Sequence, residues 1–177
     1  MTQTSSTIAA IVLIGVSASG KSTVAEALAK RIGFAEEDGD DFHPAANIAK
    51  MHAGIPLTDE DRWPWLYAIA DDIDRHIEED KPVVFACSAL KRAYRDILVH
   101  GRLDIRLVYL KGSRELICDR FSKRQGHFMS AALIKSQFDT LEEPQPGENI
   151  LIVDIKDTVD EIVDEIVEKL NLSTAGA

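Results

Sequence analysis

The hydrophobic positions of this chain fall into short β-branched runs separated by stretches of helical period. Ile8–Ile14, Pro82–Cys87, Ile105–Leu110 and Ile150–Val153 read as buried strands, and Phe34–Asp38 as a shorter extended segment. Lys21–Ile32 places Val24, Leu28 and Ile32 on one helix face. From Pro44 the chain turns helical and breaks at Gly54-Ile55-Pro56. Thr58 with Asp61 three residues on is a capping signal, and the helix it opens carries Leu66, Ile69, Ile73 and Ile77 as one stripe. Lys91–Val99, Arg114–Lys123 and Ala131–Leu141 read as further helices, the last two flanking a polar break at Arg124-Gln125-Gly126-His127. A final helix sets Val159, Ile162, Val163, Ile166, Val167 and Leu170 at spacings of three and four. Strands alternating with helices predict an α/β domain, a parallel five-stranded sheet covered by helices on both faces. Residues 1–7 and those after Leu172 are expected to fray.

A length of 177 residues suits one domain, taken as the whole chain. The formal net charge of -10 argues against a nucleic-acid backbone as partner, because phosphate tracts need a basic surface. It leaves a single nucleotide open, since a few local cations and backbone N–H groups suffice for one. The apolar run Ile8–Ile14 is too short to span a membrane and follows no basic leader, so a cytoplasmic location without an anchor is expected. Cys87 and Cys118 have no paired spacing and read as reduced, mostly buried thiols.

Chemistry enters at Gly15-Val-Ser-Ala-Ser-Gly20-Lys21-Ser22, which fits G-x-x-x-x-G-K-[ST] without a mismatch, between a buried strand and an amphipathic helix. In such a loop inward-pointing N–H groups cradle phosphate oxygens, aided by the positive end of the following helix. Gly15, Ser17, Ala18, Ser19, Gly20, Lys21, Ser22 and Thr23 are therefore the candidate ATP-binding residues, with Lys21 on the β- and γ-phosphates and the Ser22 hydroxyl on Mg²⁺. The loop leaves the acceptor open, because GTPases, ATPases and small-molecule kinases share it. Asp38-Gly39-Asp40 follows the second strand, on the side where ligands enter open α/β sheets. One of these carboxylates is expected to hold Mg²⁺ through water and the other to accept a hydroxyl proton; order along the turn favours Asp38 for the metal and Asp40 for the proton without separating the two, and the bland alternative is a solvated turn.

Several segments carry a family signature in order along nearly the whole chain. They are Asp38-Gly39-Asp40, His43-Pro44, Asn47, Lys50-Met51 and Pro56-Leu57-x-Asp59-x-Asp61-Arg62-x-Pro64-Trp65-Leu66. Cys87-Ser88-Ala89-Leu90-Lys91, Tyr94-Arg95-Asp96, Tyr109-Leu110-Lys111-Gly112, Gly126-His127-Phe128 and Gln137-Phe138-x-x-Leu141-Glu142-x-Pro144 complete it. In these the sequence resembles the gluconate kinases (gluconokinases). The resemblance implies phosphorylation of D-gluconate at its 6-hydroxyl by ATP, a P-loop kinase fold like that of nucleoside-monophosphate and shikimate kinases with a short mobile lid, and a homodimer. Departures from the pattern are Ala18 where glycine is common, and Glu37 and Asp41 where apolar residues are more usual.

A sugar acid needs a fixed cation and several polar side chains. His43, Lys50, Arg62, Ser88, Lys91, Arg95, His127 and Gln137 are the candidates, with Asp40. The bland readings are a surface ion pair for Arg62 with Asp59 or Asp61, a basic helix face for Lys91 and Arg95, and core or capping histidines. Arg120 and Arg124 share a helix face and are expected to close a lid over about residues 120–130 onto the ATP phosphates, stabilising charge and excluding water. The alternative is a solvated basic helix end. No histidines stand at metal-ligand spacing, so no structural zinc is expected and the one metal is Mg²⁺ arriving with ATP. The loop near Asp154 to Thr158 is the expected adenine contact, by analogy of fold. Two other readings remain, a kinase for shikimate, a nucleoside monophosphate or another sugar acid, and a nucleotide-dependent regulator.

Overall fold

A computed structural model describes residues 7–124 and 131–176. Five strands, β1 (Ala10–Ile14), β2 (Ala35–Asp38), β3 (Val83–Ala86), β4 (Ile105–Lys111) and β5 (Ile150–Asp154), form one sheet in the order β2-β3-β1-β4-β5. All pairings are parallel, with Ala10 opposite both Val83 and Ile105. The helices are α1 (Lys21–Ile32), α2 (Ala45–His52), α3 (Asp59–Glu78), α4 (Arg92–Val99), α5 (Arg114–Lys123), α6 (Ala131–Thr140) and α7 (Val159–Lys169).

The period-two alternation of the strands divides the core into two halves. Ile11, Leu13, Val84, Val108 and Val153 face one side, against Val24 and Leu28 of α1 and Ile162 and Ile166 of α7. Ala10, Val12, Phe85, Leu107 and Tyr109 face the other, against Trp65, Leu66, Ile69 and Ile73 of α3 and Tyr94 and Leu98 of α4. This is the three-layer arrangement the alternation predicts.

Local chemistry sets the ends of the elements. α1 runs between Gly20 and Gly33, both left-handed, at φ 91 and 76. Thr58 and Asp61 form a reciprocal capping box, as the sequence suggested, and Thr158 with Glu161 forms another. One element goes beyond the sequence reading. Gly39–Phe42 is a 3₁₀ turn, opened by Asp38, whose carboxylate accepts the Asp40 N–H. Only glycine fits at Gly39, because a Cβ there would lie 2.7 Å from the Ala86 carbonyl oxygen. Trp65 Nε1 donates to the Gly39 carbonyl at 2.7 Å and pins the turn to α3.

After Leu172 the chain comes back to α1, where Ala175 N–H donates to the Arg31 carbonyl at 2.9 Å. One expectation needs correction. Cys87 is buried as expected, and that burial pushes its thiol up to about 12, but Cys118 is exposed on α5.

Candidate active site

β1 and β3 end side by side, and the turns that follow them face the turn after β2 across a cleft of about 280 Å³. The phosphate loop, Asp38, Asp40, His43, Arg62, Ser88, Arg124 and Gln137 all line it. Sequence spacing alone could not show that these groups converge. Strand order does it, because β1 and β2 both pair with β3 and deliver their carboxyl ends to one edge.

The loop has the geometry its motif requires. Gly15 lies under the Leu110 carbonyl, where a Cβ would come within 2.9 Å, and Ala18 takes a left-handed φ of 64 at the position where the related pattern favours glycine. The Ser19 hydroxyl is buried with no hydrogen-bond partner. Lys21 Nζ donates to the Val16 carbonyl at 2.9 Å. Burial lowers the Lys21 pKa, and Asp40, Cys87 and Asp38 partly offset it. Ser22 Oγ donates to Asp38 Oδ2 at 2.7 Å, so the hydroxyl and carboxylate assigned to Mg²⁺ already touch. A strained turn, an orphaned loop hydroxyl, a desolvated ammonium and a paired serine and aspartate make a donor set that fits a magnesium-bound polyphosphate. Thr23 is exposed in the first turn of α1.

Asp40 projects into the open cleft, its side chain 77% exposed. The protein mass around the cleft weakens its solvation and raises its pKa; Asp38 and Asp41 add to this and Lys21 opposes it. Because water still reaches the carboxylate, filling the cleft with ligand will push the same way. His43 is stacked on Trp65 with ring centroids 4.2 Å apart, and its side chain is only 4% exposed. Burial, reinforced by Arg62, lowers its pKa to about 4, so the ring is neutral. The Asn47 side-chain amide donates to the Asp61 carbonyl at 2.8 Å and lies 3.3 Å from His43 Nδ1. The hydrogen-bond network thus assigns Nδ1 as acceptor and puts the ring proton on Nε2, 3.8 Å from Asp40 Oδ1. One acceptor hydroxyl can hydrogen-bond to both groups.

The low pKa of His43 has a consequence for stability. Its folded value lies below the ordinary 6.5, so the unfolded chain binds the proton first. Stability is full above about 6.5 and declines as the pH falls toward about 4. That interval, at 1.36 kcal/mol per pH unit, amounts to roughly 3 kcal/mol. Acid titrations of thermal stability are expected to show this slope in the wild type and a shallower one in His43→Gln; equal slopes would exclude His43 as its source.

The cations divide into two sets. Lys50 Nζ binds both oxygens of Asp61, at 2.8 and 2.7 Å, and with the Thr58 N–H holds that carboxyl down at about 2. Lys91 Nζ binds Asp59 at 3.0 Å, beside the Tyr94 hydroxyl, which also donates to Asp59. Neither lysine lines the cleft. With Asp59 and Asp61 taken, Arg62 does not form the surface ion pair considered from sequence. Its guanidinium donates to the Tyr94 hydroxyl at 3.2 Å and remains in the cleft wall.

Arg95 is corrected outright. It is 2% exposed, forked onto Glu148 at 2.8 and 3.0 Å, and donates to the Leu90 and Glu142 carbonyls. It braces α4 against the segment before β5, with four of its five N–H donors taken, and it does not line the cleft. Burial pulls the Glu148 pKa upward, but the Arg95 fork and the Gln145 N–H more than offset this and leave it lowered.

At the end of α5, Arg124 lines the cleft and Arg120 stands beside Gly20. Arg120 donates to the Ile155 carbonyl at 2.6 Å, tying α5 to the loop after β5. Gln137 of α6 reaches the phosphate loop, where its Oε1 accepts the Ser17 N–H at 2.5 Å. His127, with Gly126, lies outside the described residues. Lining residues outside the set of sequence candidates are mainly apolar, Ile48, Met51, Ile55, Leu57 and Leu133, joined by His52 and Ser136; of these only Met51 and Leu57 belong to the family signature. Ile48 and Ile55 are half-exposed there, which the sequence does not reveal.

The AAA domain family matches this chain over residues 11–144. A probable gluconokinase of Mus musculus is 41% identical over an alignment of 177 positions, spanning 90% of this chain and 96% of that protein. The chain belongs to the gluconokinase family. The structure of a gluconokinase from Sinorhizobium meliloti 1021, 44% identical, superposes with a TM-score of 0.82 over 92% of this chain and 91% of that one. Shikimate kinase from Aquifex aeolicus vf5, only 18% identical, matches with a TM-score of 0.58 over 92% and 96% of the two chains, a likeness of fold. The gluconokinase chain is thus a P-loop kinase in sequence and architecture, and no described helix is long and apolar enough to cross a membrane.

Proposed function

We propose that this gluconokinase transfers the terminal phosphoryl group of ATP to the 6-hydroxyl of D-gluconate, giving 6-phosphogluconate and ADP. The observation that carries the reading is the meeting, in one cleft, of the phosphate-loop lysine, the exposed carboxylate of Asp40 and an arginine freed from its neighbouring acids. When bound, MgATP supplies the phosphoryl group and a metal that neutralises its charge. Ser22 would hold Mg²⁺ directly and Asp38 through water. Asp40 accepts the proton of the 6-hydroxyl, and the His43 Nε2–H orients that hydroxyl. Arg62 binds the sugar-acid carboxylate, with Ser88 and Gln137 as polar partners beside it. Lys21, Arg120 and Arg124 surround the transferring group, and residues 120–130, His127 among them, act as the lid. The loop of residues 154–158 receives adenine. Most of the catalysis is positioning and electrostatics. The enzyme works in the cytoplasm as a homodimer of single-domain chains.

The deciding measurement is ADP release from MgATP by purified protein with D-gluconate, shikimate, AMP or no acceptor. Release that requires gluconate and forms 6-phosphogluconate is expected. Release with another acceptor alone would leave the phosphate loop in place and overturn the acceptor assignment.

A further inference from the structure

On the far side of β2 from Asp38 lies a second cluster that the reaction does not use. Glu37 stands opposite Phe85 in the sheet register, on the α3 face. Asp72 and His76 are one turn apart on α3. One ligand atom from each of these three residues lies within 4.8 Å of the other two.

His76 is 5% exposed. Its Nδ1 lies 3.1 Å from the Lys81 carbonyl, which can only accept, so Nδ1 carries a proton. In the neutral ring Nε2 is then a bare lone pair. It is buried without a hydrogen-bond partner, 3.6 Å from Asp72 Oδ2 and 3.7 Å from Glu37 Oε1. Asp72 Oδ2 is equally buried and unpartnered, while Oδ1 is held by Arg75 at 2.9 and 2.5 Å. Two carboxylate oxygens and the ring nitrogen converge on one point, with no cationic side chain between them among the described residues.

We propose that Glu37, Asp72 and His76 form a binding site for a divalent transition metal of the zinc class. Ligand atoms on a tetrahedral Zn²⁺ with bonds near 2.0 Å stand about 3.3 Å apart. The two carboxylate oxygens already stand within a few tenths of an ångström of that spacing from His76 Nε2, and their own separation, within 4.8 Å, closes by at most about 1.5 Å on a metal. One imidazole and two carboxylates suit Zn²⁺ better than Mg²⁺ or Ca²⁺, and a water completes the fourth position. The second shell is in place: the Lys81 carbonyl fixes the imidazole tautomer, and Arg75 orients the Asp72 carboxylate. The expectation of no zinc rested on histidine spacing, whereas here a single histidine is joined by carboxylates from a helix and a strand. The metal ties edge strand β2 to α3 immediately before the Asp38-Gly39-Asp40 turn.

The test is calorimetric titration of ZnCl₂ into tag-free, chelator-stripped, full-length protein with excess Mg²⁺ present. One Zn²⁺ per chain is expected, binding in the micromolar range or tighter, with a rise in thermal midpoint that Ca²⁺ does not give. Glu37→Gln and Asp72→Asn should each weaken Zn²⁺ binding by about tenfold or more, and Ser22→Ala should leave it unchanged. His76→Gln should abolish it; should that variant fail to fold, the two carboxylate variants decide. Absence of stoichiometric uptake, as when a proton on Nε2 satisfies the cluster, overturns the proposal. So does affinity undiminished in Glu37→Gln and Asp72→Asn.

Discussion

Lys21→Ala is expected to lower kcat/KM for gluconate phosphorylation by about 10³-fold without loss of thermal stability. The two halves of this result have one cause. Lys21 stands where burial disfavours its charge, and its Nζ donates to the neutral Val16 carbonyl. In the ligand-free protein that ammonium is desolvated with little return, so its removal relieves the fold. Its return comes only when phosphate charge enters the loop, and it is greatest where that charge is being transferred. The variant should therefore melt no lower than the wild type and lose its stabilisation by ATP. A variant that kept its rate would remove Lys21 from the phosphate site.

Asp40→Asn is the second large effect, a fall in kcat of about 10²- to 10⁴-fold with a much smaller change in KM for gluconate. Asparagine keeps the shape and can still hydrogen-bond, but it cannot take a proton. The pH profile separates this role from simple positioning. Crowding by the cleft walls and by Asp38 raises the Asp40 pKa above that of an ordinary aspartate. The ionised form is the active one, so the acidic limb of the wild-type kcat/KM profile should lie above pH 3.8 and vanish in the variant. The same raised value means that the fold disfavours the ionised carboxylate. The variant should then be at least as stable as the wild type at neutral pH. Wild-type turnover, or an unchanged acidic limb, would take the base role away from Asp40.

What the sequence shows and what it hides separate along a physical line. Interactions between near neighbours are legible: α1 is bounded by its two glycines and α3 by its Thr58–Asp61 box. The phosphate loop is also local, a contiguous run whose residue types follow from the turn they make. The cations were harder because their partners are distant. Lys50 meets Asp61 eleven residues away, Lys91 meets Asp59 thirty-two away, and Arg95 meets Glu148 fifty-three away. All three look like pocket cations in the sequence, and only the fold shows that their charge is already matched. Arg62 is the converse, flanked by acids in sequence yet released because distant lysines take those acids. The cluster of Glu37, Asp72 and His76 was hidden for the same reason, since its third member comes from another element.

The wholly parallel sheet fixes when, during synthesis, a working nucleotide site can exist. The phosphate-loop motif is complete by Ser22, but β1 gains its hydrogen-bonded neighbours only from Val83–Ala86 and Ile105–Lys111. No strand can pair with its successor through a tight hairpin, so each contact awaits a crossover. The Leu110 carbonyl that roofs Gly15 is likewise far down the chain. A nascent chain that has made its whole nucleotide motif therefore cannot shelter it, and ATP cannot help it fold, until about the fourth strand has emerged. Through that interval the apolar β1 run is exposed to chaperones and to aggregation.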